Sequence, residues 1–237
     1  YGQYVRAESF FGNSEWAAAG LPEGRELEFL NKVKADVPAE VFTTPWKSPA
    51  NDKDTDFRTN MLAATKLLDE AGWKVASGQR KNAAGEVLKV EILLVQPDFE
   101  RIVLPFIENL KKLGIAASVR IVDSSQYEQR EKTRDFDLIV DSFGQSHSPG
   151  NEQRDYWGSA SAEREGSRNT IGIKNAAIDK LVDNIVFAKD RADLVAATRA
   201  LDRVLLWNFY VVPQWYYPYD RVATWDVYGR PAVLPSQ

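Results

Sequence analysis

The middle of the chain alternates segments of strand-like and helix-like hydrophobic spacing. Residues 89–94 alternate apolar and polar side chains, which predicts a strand with one fully buried face. Apolar residues at helical spacing then fill 98–113, and the spacing predicts strands over 115–122 and 136–140 with a helix over 125–133 between them. A strand–helix–strand–helix–strand order predicts an α/β fold.

Three further helices are predicted outside the α/β segment 89–140, one before it and two after it. Thr59 or Asn60 is placed to cap a helix that runs to Ala71, because both side chains accept hydrogen bonds from free backbone N–H groups. Near the C-terminus, one helix follows Asn175, and Asp190 caps another. Both carry an apolar stripe typical of helices packed against a core.

Other segments are predicted to be irregular. Prolines break the first sixty or so residues, and a hairpin turn is expected at 82–85. Pro105 should kink or divide the helix over 98–113. Residues 142–170 form a long polar segment rich in Gly and Ser, which predicts a functional or mobile loop. An aromatic, extended tail is expected over 211–227.

Composition and charge exclude several classes of protein. The chain has 237 residues, 44% hydrophobic and 27% charged, which is typical of a globular domain with a buried core. Its net charge of −4, with acids and bases interspersed, argues against a nucleic-acid partner. The absence of cysteine fits an oxidising compartment. The chain carries no signal peptide and does not open on Met, so we expect a processed protein or a fragment.

Candidates for covalent chemistry are few, so we predict a non-enzymatic protein without a cofactor or metal. His147 is the only histidine, and no zinc, calcium, phosphate-loop or nucleophile-elbow motif is present. Glu152 and Asp155 could form the carboxylate pair of a glycoside hydrolase. A carboxylate-dependent hydrolase therefore stays the least favoured alternative.

The segment 148–157 concentrates groups that recognise ligands. Arg154 offers a fork for a carboxylate, Glu152 and Asp155 can pair with an amine, and Trp157 supplies an apolar wall. The amides of Asn151 and Gln153 can satisfy a peptide backbone. The alternative is a solvated loop with internal salt bridges, and the residues alone leave both open.

Two aromatic runs pose a similar choice. The run Trp215-Tyr216-Tyr217-Pro218-Tyr219 could floor a sugar or peptide site, but core and edge packing is the commoner role of such residues. Phe10 and Phe11 leave the same two possibilities open.

Segments along nearly the whole chain resemble one family. They are residues 10–15, 20–27, 41–45, 67–73, 113–115, 148–158 and 212–216. In this order they resemble the extracellular solute-binding proteins of the oligopeptide/dipeptide class, family 5. The run Ser-Pro-Gly-Asn-Glu-Gln-Arg-Asp-Tyr-Trp at 148–157 is typical of the YejA-like branch.

The resemblance implies a fold and a domain organisation. The expected class is α/β, similar to type II periplasmic binding proteins, with a C-terminal lobe whose mixed sheet is flanked by helices. Residues 1–210 would form that ligand-binding lobe, and 211–237 would return toward an N-terminal lobe missing from this chain.

The resemblance also implies a function. Such proteins capture peptides, here oligopeptides or murein peptides, in the periplasm by lobe closure, and deliver them to an inner-membrane ABC permease. A sugar- or oligosaccharide-binding component of an importer is the main alternative. The signal peptide would lie outside this chain.

One departure from the family pattern concerns the ligand's amino terminus. Many members hold it with an Asp shortly after a Gly-Trp, in the stretch that corresponds to 143–147 here. This chain has Phe-Gly-Gln-Ser-His, without an Asp, so Gln145 and Ser146 join the candidate ligand-binding residues. Glu152 and Asp155 are the candidates to replace the missing carboxylate.

Overall fold

The helices and strands are taken from a computed structural model, which describes residues 3–52, 56–219, 223, 225, 227, 229 and 231–233. The helices are α1 (Gly24–Asn31), α2 (Glu40–Thr43), α3 (Phe57–Glu70), α4 (Glu100–Lys112), α5 (Ser124–Thr133), α6 (Gln153–Trp157), α7 (Ser159–Ala162), α8 (Ala176–Val186) and α9 (Arg191–Trp207). The strands are β1 (Val5–Arg6), β2 (Lys74–Ala76), β3 (Gln79–Lys81), β4 (Lys89–Leu94), β5 (Ala116–Ile121), β6 (Leu138–Ile139) and β7 (Trp215–Tyr216).

The described residues fall into two compact units, each built from separate stretches of chain. The first unit draws on Tyr1–Ser48, Phe143–Ala162 and Ile173–Gln237, and the second on Pro49–Ser142 and Glu163–Gly172. The expectation of one lobe over 1–210 and a returning segment over 211–237 stays a prediction, and part of that segment lies outside the described residues.

The second unit contains a parallel three-stranded sheet in the order β5-β4-β6. Its core consists of Ile92, Leu94, Val103, Ile107 and Ala117, so α4 covers one face of the sheet. The α/β class is confirmed. Strands β2 and β3 of this unit pair antiparallel in a separate two-stranded sheet, and β1 and β7 of the first unit form another antiparallel pair.

The helix over the sheet, α4, continues through Pro105 and is not divided there. Pro105 is exposed, whereas Val103 and Ile107 on either side of it are buried. Proline removes one backbone hydrogen bond, but burial of the flanking apolar side chains holds both halves of the helix on the sheet.

The segment before β4 contains two turns, at 77–78 and at 82–85, and the sequence pattern predicted the second. Strands β2 and β3 join at Ser77 and Gly78, which both have positive φ, and a bridge from Lys81 to Val87 encloses the expected turn at 82–85. Gly78 tolerates a left-handed backbone because it has no Cβ.

In the first unit, α8 and α9 form a helical core together with α1. The caps are those expected from the sequence. Asn175 Oδ1 accepts hydrogen bonds from the backbone N–H groups of Ala177 and Ile178, at 2.8 and 3.3 Å. Asp190 likewise accepts from Asp193 N at 2.8 Å and so caps α9.

Asp202 on α9 is a buried carboxylate that holds the N-terminal segment. Its oxygens accept hydrogen bonds from Ser9 Oγ at 2.8 Å, Phe10 N at 2.8 Å and Ala18 N at 2.9 Å. Burial nevertheless raises the pKa of Asp202 to about 6, because desolvation of the charged form outweighs these three donors.

The next residue, Arg203, is a buried cation with several partners. It donates to Glu26 Oε1 at 2.8 Å and to the carbonyls of Gly20 and Ala19 at 2.8 and 3.1 Å. Together the two adjacent side chains tie the segment before α1, and α1 itself, to α9. Among the described residues, none of the helices is long and apolar enough to cross a membrane.

Candidate functional site

The segment 142–170, predicted as a long loop, contains two short helices, α6 and α7. Helix α6 ends at Gly158, where a Cβ would lie 2.6 Å from the carbonyl oxygen of Arg154. Only glycine allows so close an approach of the backbone. The expectation of a continuous loop is therefore wrong, because tertiary packing orders residues whose composition is typical of loops.

An aromatic cluster anchors α6. The ring of Trp157 lies 5.1 Å from that of Phe10 and 5.0 Å from that of Phe143, between centroids. Trp157 is completely buried, and Tyr156 donates a hydrogen bond from its hydroxyl to the carbonyl of Gly144 at 3.0 Å. Phe11 is also buried, so core packing accounts for it.

A chain of side-chain hydrogen bonds starts at Trp157 and leads to the segment before α6. Trp157 Nε1 donates to Gln153 Oε1 at 2.8 Å. Gln153 Nε2 donates to Gln145 Oε1 at 2.7 Å and to Glu152 Oε1 at 3.2 Å. Gln153 is completely buried, and its oxygen and both N–H groups are occupied.

Gln145, at the far end of this chain, keeps an unused donor. Its Nε2 is shielded from solvent and has no hydrogen-bond partner in the part of the chain that the structure describes. Glu152, which is half-buried, accepts a further hydrogen bond from the backbone N–H of Gly150 at 2.9 Å.

Arg154 points to a different set of partners. Its guanidinium donates to Asp183 on α8 at 2.7 Å and to Asn151 at 3.2 Å, and it lies 5.4 Å from the centre of the Phe187 ring. Both members of the Arg154–Asp183 pair are partly exposed to solvent. This is the internal salt bridge that the alternative interpretation of the segment expected.

The structure thus gathers four of the eight predicted residues, Gln145, Glu152, Gln153 and Trp157, into one network. Asn151 and Arg154 form a second group, with Asp183. Exposed Ser146 accepts a hydrogen bond from Ser148 N at 3.3 Å, and Asp155 is half-buried in α6.

Sequence reasoning missed Phe143, Tyr156 and Asp183 as parts of the site. Tyr156 lies within residues 148–157 and Phe143 within 143–147, and their aromatic side chains could have indicated that they pack around Trp157. Asp183 is 29 residues from Arg154, and no local pattern links the two.

The candidates for covalent chemistry include the single histidine, His147. His147 is exposed, and no group of three His, Cys, Asp or Glu side chains within the described ranges is arranged to hold a metal ion.

Comparison with known families decides the class of this chain. The family described as bacterial extracellular solute-binding proteins, family 5 Middle, matches residues 27–164, which is more than half of the chain. The chain belongs to this family. The resemblance stated from the sequence is thereby confirmed.

Relatives within the family match the chain over its whole length. A probable peptide-binding protein, YejA, of Agrobacterium fabrum is 48% identical over 237 residues, all of this chain and 39% of its own length. The protein y4wM of Sinorhizobium fredii is 49% identical, over all of this chain and 36% of its own length. A peptidoglycan-binding protein, YepA, of Agrobacterium fabrum is 34% identical, over 99% of this chain and 38% of its own length.

Solved structures share the fold of this family 5 chain. A periplasmic oligopeptide-binding protein of Thermotoga maritima with bound mannohexaose matches 90% of this chain and 36% of its own, with a TM-score of 0.63 and 21% identity. The oligopeptide-binding protein AppA of Bacillus subtilis, in complex with a nonapeptide, matches 81% of this chain and 39% of its own, with a TM-score of 0.60 and 21% identity. The periplasmic-binding-protein class of the fold is confirmed.

Proposed function

We propose that the protein containing this chain is the substrate-binding component of a bacterial ABC importer and captures peptides in the periplasm. Oligopeptides and murein peptides are the expected ligands. The observation that carries this proposal is the 48% identity, over all of this chain, to a probable peptide-binding protein. The peptidoglycan-binding protein YepA, at 34% identity, supports murein peptides among the ligands.

The proposed organisation has two lobes, of which this chain supplies one. Because the chain spans 36–39% of the length of these relatives, we assign the N-terminal lobe to sequence outside it. Residues 1–210 would belong to the C-terminal lobe, and 211–237 would return to the other lobe. The inner-membrane ABC permease is the proposed receiver of the ligand.

The proposed ligand contacts lie in the segment from Gln145 to Trp157. Gln153 and Trp157 are buried, and their polar groups form hydrogen bonds with each other and with Gln145. We therefore assign them the role of holding the segment in place. The contacts themselves fall to the remaining predicted residues, which are Gln145, Ser146, Asn151, Glu152, Arg154 and Asp155.

Capture would work by a shift between open and closed states. A ligand that contacts both lobes binds the closed state more tightly than the open one, and this difference in affinity drives closure. The closed form would then present a surface to the permease.

A sugar ligand is the second candidate. The aromatic rings of Tyr4, Trp215 and Tyr217 form edge-to-face contacts, and Tyr4 and Trp215 remain 59% and 39% exposed. Exposed aromatic faces can stack on sugar rings. The Thermotoga structure, which shares the fold, holds mannohexaose.

The test is binding to the full-length protein that contains both proposed lobes. Native mass spectrometry of gently purified protein would detect a bound peptide directly. Calorimetry would then use alanine peptides of two to five residues, the murein tripeptide L-alanyl-γ-D-glutamyl-meso-diaminopimelate, and mannohexaose. We expect at least one peptide to bind and mannohexaose not to bind. The absence of any peptide binding would refute the proposal, and binding of mannohexaose alone would favour the sugar candidate.

A further inference from the structure

The orientations of two buried amides follow from the chemistry of their neighbours. The indole of Trp157 can only donate, so the group of Gln153 that faces it at 2.8 Å must be the oxygen. Glu152 Oε1 already accepts from the backbone N–H of Gly150, so the group of Gln153 that faces this acceptor at 3.2 Å is the nitrogen. Two independent neighbours therefore fix Gln153 in the same orientation.

The orientation of Gln153 in turn fixes that of Gln145. The nitrogen of Gln153 lies 2.7 Å from the amide of Gln145, so that amide must turn its oxygen toward Gln153. Its nitrogen then points away with both hydrogens. Each step of this assignment is set by a neighbouring group that can only donate or only accept.

The outcome is a buried donor without an acceptor. Gln145 Nε2 is shielded from solvent and finds no partner among the described residues, whereas Gln153 beside it is fully satisfied. Buried donors are nearly always paired, and an unpaired one is costly. The amide of Gln145 is thus held in a conformation that is unfavourable unless an oxygen approaches it.

We propose that Gln145 is a ligand-binding residue that donates to a carbonyl or carboxylate oxygen of the peptide, and that Trp157 and Gln153 set it in this donating orientation. This inference rests on the proposed function. The N–H₂ group of Gln145 donates and therefore prefers an oxygen of the ligand, whereas a carboxylate at this position would prefer the ligand's amine. Since Nε2 is shielded, the oxygen reaches it only after a local rearrangement around Gln145.

The backbone next to Gln145 is held in place by aromatic side chains. Phe143 and Tyr156 form an aromatic contact at 6.2 Å, and the Tyr156 hydroxyl ties down Gly144. The backbone that carries Gln145 is therefore anchored immediately before it. A donor on an anchored segment loses little freedom on binding, which favours affinity.

The experiment compares two variants of Gln145 in the full-length protein, with a control. Gln145→Glu keeps an oxygen for Gln153 and replaces only the free N–H₂ group by an acceptor. Gln145→Met removes both groups. Gln129→Glu, on exposed α5, makes the same change of charge away from the network. The probe is the tightest-binding peptide of the panel above, as the free acid and as the C-terminal amide, measured by calorimetry.

We expect Gln145→Met to weaken binding about tenfold and Gln145→Glu to weaken it about a hundredfold, with Gln129→Glu unchanged. The order of the two losses is decisive. A merely structural Gln145 predicts the reverse order, because Gln145→Glu preserves the bond to Gln153 and Gln145→Met does not. The reverse order, or wild-type affinity in Gln145→Met, would overturn the inference.

The two forms of the peptide identify the oxygen. If the acceptor is the terminal carboxylate, the wild type prefers the free acid and Gln145→Met loses that preference. If it is an internal carbonyl, both forms weaken equally. Thermal melting of the ligand-free variants checks folding, and Gln145→Met serves alone if Gln145→Glu fails to fold.

The wild-type titration separates failure of this inference from failure of the proposed function. If the wild type binds none of the peptides, both are refuted. If it binds and the variants bind equally well, the proposed function stands and only the role of Gln145 is refuted.

Discussion

At the scale of single residues, the first unit depends on two adjacent charges of α9 that point to different partners. Asp202 and Arg203 are both completely buried, yet each has hydrogen-bond partners in the N-terminal segment. Burial of a charge is expensive unless it is paired, so removing either residue leaves its own buried partners without their hydrogen bonds. Both residues should therefore have large and measurable effects on stability.

Replacing Arg203 with Ala should lower the free energy of unfolding by about 3–5 kcal/mol, because Glu26 would remain buried without its cation. Arg25 provides the matched control. It pairs with Asp193 at 2.8 Å on the surface, and Arg25→Ala should produce no resolved change, since solvent screens exposed pairs. Urea denaturation followed by circular dichroism measures both. Equal effects of the two substitutions would contradict the expectation.

The pKa of Asp202 predicts a pH dependence of stability. The folded pKa of about 6 lies above the ordinary value of 3.8, so the folded protein keeps a proton that the unfolded chain releases between these values. The contribution is fully present below about pH 4 and is lost as the pH rises through 6, about 3 kcal/mol in all. Carboxylates with lowered pKa, such as Glu91 beside Arg120, act in the opposite direction.

The comparison with Asp202→Asn isolates this contribution, because Asn does not titrate. The difference in unfolding free energy between wild type and variant should fall by about 2 kcal/mol from pH 4 to pH 7. A constant difference over this range would show that Asp202 is ionised throughout.

At the scale of elements, capping side chains decide where the long helices begin. Asp56 accepts from Thr59 N at 2.7 Å and starts α3 at Phe57, slightly earlier than the predicted cap at Thr59 or Asn60. The caps at Asn175 and Asp190 are where the sequence places them. Each cap satisfies backbone N–H groups that have no partner within the helix.

Asp190→Ala should therefore destabilise the protein by about 1 kcal/mol, and Asp190→Ser should restore most of the loss. Serine offers an oxygen to Asp193 N as the aspartate does, whereas alanine leaves that N–H to solvent. Chemical denaturation measures the change. If Ser is as damaging as Ala, the effect comes from the charge of Asp190 near the helix N-terminus and not from the hydrogen bond.

At the scale of the whole molecule, the chain represents 36–39% of the length of its relatives. In the proposed mechanism, affinity arises because the ligand contacts two lobes in the closed state. A chain with one lobe cannot gain from closure. The buried network around Gln153 would still be present, but it would meet the ligand on one side only.

We therefore expect this chain alone to bind peptide far more weakly than the full-length protein, by about a hundredfold or more. Calorimetry with the same peptide on both proteins measures the ratio. Folding of the isolated chain is checked by its circular dichroism and thermal transition. Equal affinities would show that the ligand is held by this part of the protein and that closure adds nothing.

Local sequence patterns predict the order and type of the elements wherever hydrophobic spacing and helix-end signals agree. The α/β block from β4 to β6 and the helices after Asn175 and Asp190 follow from spacing and caps, which act over a few residues. The sequence also indicates the family, through segments spread along the chain.

The arrangement of the candidate site residues follows from tertiary contacts. Helix α6 forms within a loop-like composition because Trp157 packs against Phe143 and against Phe10, which is far from it in sequence. Gln153 and Trp157 are completely buried, and Arg154 pairs with Asp183 on α8. The burial of Trp157 against Phe10 and the pairing of Arg154 with Asp183 depend on residues that are distant in sequence, and local patterns do not contain this information.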